Sequence, residues 1–137
     1  MRLLLLPSIA LSLCIAAGCR PAPAPLPVIA HADGQVAWRG TMPCADCAGI
    51  AVHLVLERKG GERRYQLVET YLLADGRGAR FAEHGQWRQQ ADLLQLHGSD
   101  DSRRTYAVAA DGRLQARDSH GRRLPVQDDA MLSPIVP

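Results

Sequence analysis

The sequence has almost no excess of charge of either sign. Its 137 residues include 16 basic and 14 acidic side chains, which gives a net charge of +2. The basic residues are spread along the chain, and pairs such as Arg63-Arg64 and Arg103-Arg104 lie beside turn signals. Nucleic-acid-binding domains gather positive charge on one face. We therefore expect no nucleic-acid partner, and we expect the arginine pairs to be solvated loop tips.

The sequence also lacks the residue patterns of the common catalytic and zinc sites. It contains no Ser-His-Asp arrangement, no paired carboxylates and no phosphate-binding glycine loop. Only Cys44 and Cys47 stand at ligand spacing, whereas a structural zinc site needs four ligands. Four of the five histidines lie beside glycine turns or near the tether, which leaves His53 as a further candidate ligand. These absences predict a protein that is not an enzyme.

No apolar run in the sequence is long enough to cross a bilayer. Residues 3–17 are apolar and uncharged behind Arg2, but a membrane span needs roughly 20 such residues. Small residues then lead to Cys19. This pattern is typical of a signal peptide, here residues 1–18, which is removed from the mature protein.

The residues around the cleavage point are more specific than an ordinary secretory signal. The stretch Ile15-Ala16-Ala17-Gly18-Cys19 resembles a bacterial lipobox. The resemblance implies that Cys19 carries a diacylglycerol and an acyl chain, which together hold the protein on a membrane. Lipoproteins retained at the inner membrane commonly have an aspartate after the acylated cysteine, and the residue here is Arg20. An outer-membrane location is therefore expected.

Residues 19–32 and 33–137 differ in composition. Proline and alanine dominate residues 20–27, which predicts an extended, polyproline-like tether. The remaining residues, 33–137, are enough for one compact domain of about 100 residues with a modest core.

Turn signals punctuate this domain at hairpin spacing. They are Asp33-Gly34, Gly60-Gly61, Asp75-Gly76, His84-Gly85, His97-Gly98, Asp111-Gly112 and His120-Gly121. Between them the apolar residues alternate, most clearly at Ile50, Val52, Leu54 and Leu56. The alternation predicts an all-β fold. Closure of about six to eight antiparallel strands into a small barrel would remove exposed sheet edges.

The order of cysteines, glycines and aromatic residues resembles the N-terminal domain of the copper-resistance lipoprotein NlpE family. The matching residues begin with Met42-Pro43-Cys44-Ala45-Asp46-Cys47-Ala48-Gly49-Ile50 and Tyr65-Gln66-Leu67-Val68-Glu69-Thr70-Tyr71, and continue through Phe81, Glu83, Gly85, Trp87 and Tyr106. The resemblance implies a lipocalin-like barrel on the periplasmic face of the outer membrane. It also implies a link to copper tolerance and to envelope-stress signalling through a sensor kinase.

The Cys44/Cys47 pair has more than one interpretation. In an oxidising compartment it is suited to a disulfide that closes a very small loop. In its reduced form the pair offers two soft ligands for Cu(I), and Met42 is a third. A thioredoxin-like catalyst is not favoured, because the residues after Cys47 alternate like a strand rather than opening a helix. Pro43 and Asp46 are interpreted as turn formers in the same loop.

Glu69 is in phase with the apolar residues Tyr65, Leu67 and Tyr71. A carboxylate in that row would face the barrel interior and need a partner. An arginine such as Arg39, Arg80 or Arg88 is the expected one, in a structural network. Trp38 and Trp87 are expected to be core residues that plug the barrel.

Two classes of function fit these patterns. The first is a tethered sensing module whose Cys44/Cys47 loop responds to copper or thiol redox state. The second is a lipocalin-like carrier that holds a small apolar ligand inside the barrel. A thiol–disulfide oxidoreductase is a third, less favoured alternative.

Overall fold

The predicted signal peptide, Cys19 and nearly all of the tether lie outside the part of the chain that the structure describes. A computed structural model describes residues 31–125 and 130–135. Every strand within these residues belongs to one antiparallel sheet. The strands are β1 (Gly34–Met42), β2 (Gly49–Lys59), β3 (Glu62–Leu72), β4 (Gly78–Gln90), β5 (Leu93–Gly98), β6 (Arg103–Val108), β7 (Leu114–Arg117) and β8 (Met131–Ile135).

The sheet closes on itself in the order of the sequence, from β1 to β8, with β8 pairing back onto β1. This confirms the predicted all-β antiparallel barrel. No helix within residues 31–125 and 130–135 has the length and apolar character to cross a membrane.

Strands β2 and β3, of eleven residues each, form a hairpin around Gly60-Gly61. Both glycines have positive φ angles, 58° and 85°. Two such residues in succession form the turn whose twist matches that of the flanking strands. The backbone amide of Gly60 also donates a hydrogen bond to Asp33 (2.9 Å), which ties the hairpin to the start of the barrel.

The barrel interior is filled with leucines. The apolar residues of the predicted alternating row on β2 point inward, and His53 on the opposite face is exposed. Within the described part of the chain, seven leucines are almost completely shielded from solvent: Leu54, Leu56, Leu67, Leu94, Leu96, Leu114 and Leu132. Burying each leucine side chain stabilises the fold by about 1.5–3 kcal/mol relative to leaving it in water.

Trp38 and Trp87 close one end of this interior, which we call the tryptophan end. Both side chains are buried, as predicted. The indole nitrogen of Trp38 donates to the carbonyl of Gly112 (2.8 Å), in the β6–β7 turn. The indole nitrogen of Trp87 donates to the carbonyl of Glu57 (3.0 Å), near the end of β2. Each buried indole therefore has the hydrogen-bond acceptor that it requires.

One of the predicted turns is wrong. His84-Gly85 lies inside β4, and Gly85 pairs with Tyr65 of β3 and with Gly98 of β5. A Cβ atom at Gly85 would lie 2.0 Å from the carbonyl oxygen of His97. The glycine is therefore needed because two strands approach closely where β4 passes from one partner strand to the next, not because the chain turns.

Candidate functional site at the cysteine end of the barrel

The end opposite the tryptophans is the cysteine end, where β1 finishes at Met42 and β2 starts at Gly49. The six residues between these strands form the cysteine loop, residues 43–48. Cys44 and Cys47 are joined there by a disulfide, with their Cα atoms 5.3 Å apart. Both cysteines are half-buried, while Ala45 and Asp46 between them are exposed. The disulfide therefore sits at the protein surface, on the tip of a short loop.

Backbone contacts fix the cysteine loop to the barrel. The amide of Ala48 donates a hydrogen bond to the carbonyl of Leu72 (2.8 Å), at the end of β3. Gly49 is buried, and a Cβ atom there would come within 2.8 Å of the Thr41 methyl carbon across the β1–β2 pair. A glycine at this position therefore lets the loop enter β2 without displacing β1.

The disulfide form of the loop does not fit a copper site. The two sulfur atoms are bonded to each other, so neither is a thiolate ligand. The Met42 side chain packs against the core cluster of the barrel. Within residues 31–125 and 130–135, no group of three or more His, Cys, Asp or Glu side chains is placed to hold a metal ion.

Below the loop, a polar network crosses the barrel interior. The Arg104 guanidinium of β6 donates two hydrogen bonds to the Glu69 carboxylate of β3, each 3.0 Å long. Its Nε donates to Glu83 of β4 (3.1 Å). Glu83 in turn accepts a hydrogen bond from the Tyr65 hydroxyl. One arginine thus joins strands β3, β4 and β6 from the inside.

Burial and charge set the protonation states in this network. Burial opposes the charge of Arg104, but the nearby Glu69 and Glu83 outweigh it and raise the pKa of Arg104 above its ordinary value. Burial, with the hydrogen bond to Glu83, also raises the pKa of Tyr65. Burial raises the pKa of Tyr106, next to the network, to about 12. At neutral pH the network therefore contains a charged Arg104 and a neutral Tyr65, and the neighbouring Tyr106 is also neutral.

The Glu69 prediction is correct in its main point and wrong in the choice of partner. Glu69 faces inward, and an arginine pairs with it. That arginine is Arg104, which was expected to be a solvated loop tip, whereas Arg39, Arg80 and Arg88 are exposed. The sequence did indicate that Arg104 faces inward, because Arg104 is in phase with the inward residues Tyr106 and Val108.

A cavity of about 360 Å³ opens between this network and the cysteine loop. Met42, Pro43 and Ile50 form part of its apolar wall. Glu69, Tyr71, Arg103, Arg104, Tyr106 and Arg117 supply its polar lining. Its volume is at the lower limit of the range of small-molecule pockets. The cysteine end therefore combines a surface disulfide, a charged network and a partly open cavity.

Comparison with known proteins identifies the family of this domain. The model of the NlpE N-terminal domain family matches residues 38–126. The chain belongs to the NlpE family. The matched range contains the cysteine loop and all four residues of the network.

Two solved structures and one curated sequence are similar to this NlpE-family chain. Lipoprotein NlpE of Escherichia coli is 37% identical over 90 residues, which is 66% of this chain and 36% of that protein. The crystal structure of the Cpx pathway activator NlpE from Escherichia coli matches with a TM-score of 0.57 and 33% identity, over 74% of this chain and 52% of that one.

A protein from Shewanella oneidensis shares the fold. Its structure matches with a TM-score of 0.53 and 23% identity, over 71% of this chain and 84% of that one. The chain thus spans about a third of the curated relative and about half of the solved Escherichia coli structure.

Proposed function

We propose that this chain is a lipid-anchored sensing module of an envelope-stress response, and that the cysteine loop is its responsive element. The observation that carries the proposal is the surface disulfide in a barrel of the NlpE family. The solved Escherichia coli relative is a Cpx pathway activator. A sensor kinase of the cell envelope is the corresponding partner for this chain.

The exposed position of the loop supports a role in thiol exchange. A dithiol that attacks the Cys44–Cys47 bond gives up two electrons and two protons and becomes a disulfide, while the loop becomes two thiols. Once reduced, Cys44 and Cys47 offer the soft thiolates that Cu(I) prefers. Copper binding and thiol exchange thus involve the same two sulfur atoms. Copper is here a proposed ligand of the reduced loop.

Exposed apolar side chains beside the loop support a protein partner. Leu72, Leu73 and Phe81 expose 38%, 42% and 59% of their surface. The hydrogen bond between Ala48 and Leu72 places the first of them next to the cysteine loop. A partner that covers these side chains would also contact the disulfide.

The alternative functions have less support. The leucine-filled interior does not favour a carrier that encloses an apolar ligand in the barrel. A thiol oxidoreductase places its reactive cysteine at a helix N-terminus, which lowers the thiol pKa. In this chain the strand β2 begins two residues after Cys47. We therefore infer a sensor rather than a catalyst.

The proposal includes an anchor at Cys19 on the periplasmic face of the outer membrane. It rests on the sequence Ile15-Ala16-Ala17-Gly18-Cys19 and on Arg20 after it. Mass spectrometry of the protein isolated from envelopes would detect the acyl groups on Cys19. Cys19→Ala should release the protein into the soluble periplasmic fraction, because both acyl attachment points are lost.

The test of sensing uses a host that lacks its own NlpE and carries a transcriptional reporter of the envelope-stress response. Wild-type protein should raise the reporter signal when copper or a membrane-permeable dithiol is added. Cys44→Ser/Cys47→Ser should abolish that increase with protein level and membrane fraction unchanged.

A matched control keeps the cysteines and changes their neighbours. Ala45 and Ala48 are exposed in the same loop, so Ala45→Ser/Ala48→Ser should respond like wild type. A response of the double cysteine variant equal to that of wild type would show that the disulfide has only a structural role.

A further inference from the structure

The cavity at the cysteine end contains charge that the polar network does not neutralise. Three arginines of the described residues line it: Arg103, Arg104 and Arg117. Glu69 lines the cavity as well, and Glu83 accepts a hydrogen bond from the Nε of Arg104. The two carboxylates are both engaged by Arg104. Among the described residues of this region, positive charges therefore outnumber negative charges by one.

Arg117 is a cavity-lining arginine with a buried nitrogen that has no hydrogen-bond partner among the described residues. It lies at the end of β7, is half-buried and lines the cavity. Its Nε is shielded from solvent and donates no hydrogen bond to any residue in 31–125 or 130–135. A buried donor without an acceptor is energetically unfavourable, and more so when it belongs to a charged group. An anion bound in the cavity would pair with the positive charge of the Arg117 side chain.

The opposite wall of the cavity is apolar. Met42, Ile50 and Val52 line it together with the ring of Tyr71. A hydrated inorganic ion would not use this surface, whereas an organic anion can place an alkyl or aromatic group against it. The small volume limits that group to a few carbon atoms.

We propose that the cavity at the cysteine end binds a small organic anion, with its carboxylate held by Arg117 and its apolar part against Met42 and Ile50. The site is distinct from the Cys44–Cys47 pair and does not depend on the sensing function. Because Met42 precedes the cysteine loop and Pro43 is its first residue, a ligand there would contact the segment that carries Cys44.

The test titrates the full chain, isolated from envelopes and held in lipid nanodiscs, with hexanoate by isothermal calorimetry. Empty nanodiscs supply the baseline, and hexylamine and inorganic phosphate are the comparison probes. Hexanoate should bind about tenfold or more tightly than either of them, because only hexanoate satisfies both the guanidinium and the apolar wall.

Variants assign the binding to the cavity. Arg117→Gln should weaken hexanoate about tenfold or more, the effect of losing one charged hydrogen-bond donor. Arg117→Lys should retain part of the affinity. Arg113→Gln removes the same charge from the exposed β6–β7 turn, where Arg113 pairs with Asp111, and should not change binding.

A second variant keeps the proposal testable if Arg117→Gln lowers the melting temperature. Ala116 lines the cavity, and Ala116→Leu should reduce hexanoate binding by filling space without a change of charge. Hexanoate binding that survives in both variants would overturn the proposal. So would phosphate binding as tight as hexanoate binding, since the apolar wall would then have no role.

Discussion

The two ends of the barrel are built from the same alternating strands but filled with different chemistry. The tryptophan end and the middle contain leucines and two indoles, each with its hydrogen bond satisfied. The cysteine end contains an arginine with two carboxylates, a cavity and a disulfide loop. The residues that stabilise the fold and the residues that carry chemistry are therefore separated along the barrel axis. A ligand or a redox reaction can act at one end while the other keeps the fold intact.

The largest loss of stability is expected at the leucine-filled interior. Leu54→Ala should lower the free energy of unfolding by about 2–5 kcal/mol, because it removes buried methyl groups and leaves a cavity. Leu54 is fully shielded from solvent. Chemical denaturation monitored by tryptophan fluorescence measures the change.

His53 supplies the control on the same strand. Its side chain is exposed on the outer face, so His53→Ala should change the free energy of unfolding by no more than about 0.5 kcal/mol. Equal losses from the two variants would mean that β2 does not present these residues to opposite faces.

A smaller loss is expected in the polar network. Glu69→Gln should cost about 2 kcal/mol, because it weakens two hydrogen bonds between charged partners. The loss should be below that of Leu54→Ala, since Arg104 keeps its bond to Glu83 and part of its exposure to water.

A double-mutant cycle measures the interaction energy between Glu69 and Arg104. Glu69→Gln, Arg104→Met and the double variant should give a coupling energy of about 1–3 kcal/mol, as for residues in one hydrogen-bond network. Strictly additive losses would show that Arg104 and Glu69 do not interact in solution, and the cysteine end would then be held by packing alone.

The disulfide should contribute less to stability than the network. Cys44→Ser/Cys47→Ser should lower the free energy of unfolding by less than about 2 kcal/mol, because so short a loop restricts little of the unfolded chain. Thermal melts in the absence of reductant measure this. A barrel that fails to fold without the disulfide would make the cysteine loop a structural element of the whole domain.

The smallest effect is expected at the exposed turn after β7, and it depends on pH. The Asp118 carboxylate accepts hydrogen bonds from the backbone amides of Arg122 and His120 (2.8 Å each). The hydrogen bond from the Arg122 amide, more than any other contact, lowers the pKa of Asp118 below its ordinary 3.8. The stabilisation is therefore present above pH 3.8 and is lost as pH falls through the lowered folded-state pKa.

Asp118→Asn should lower the melting temperature slightly at pH 7, and the difference from wild type should shrink as the pH falls below 3.8. Ser119→Ala, a neutral change at the next residue, should show no such dependence on pH. A difference that persists unchanged at low pH would contradict the role of the Asp118 charge.

The sequence predicts the strands well because burial imposes a period of two on each strand. The row from Ile50 to Leu56, the inward Glu69 and the two buried tryptophans all follow from that local rule. The rule does not identify the role of a glycine, because glycine occurs both in turns and where two strands approach closely. The sequence pattern predicts a turn at Gly85, yet this glycine is required by the close approach of β4 to β5.

The pairing of Glu69 with Arg104 cannot be predicted from the local sequence pattern, for another reason. Their strands, β3 and β6, are not neighbours in the sheet, so the two side chains meet only because the sheet closes. The cavity is likewise a product of closure, since its lining comes from β1, β2, β3, β6 and β7. No single stretch of sequence contains either feature.

The seam that closes the barrel has a consequence for the order of folding. Strand β8 pairs with β1 over only three residues, one of them Pro134, which has no amide hydrogen to donate. The β2–β3 hairpin, by contrast, pairs along eleven residues around a two-glycine turn. Hairpins form from neighbours in sequence, whereas the seam must join distant segments and carries a larger loop-closure cost. The hairpins should therefore form early and the seam last, so the cavity and the Arg104 network exist only once the final strand has arrived.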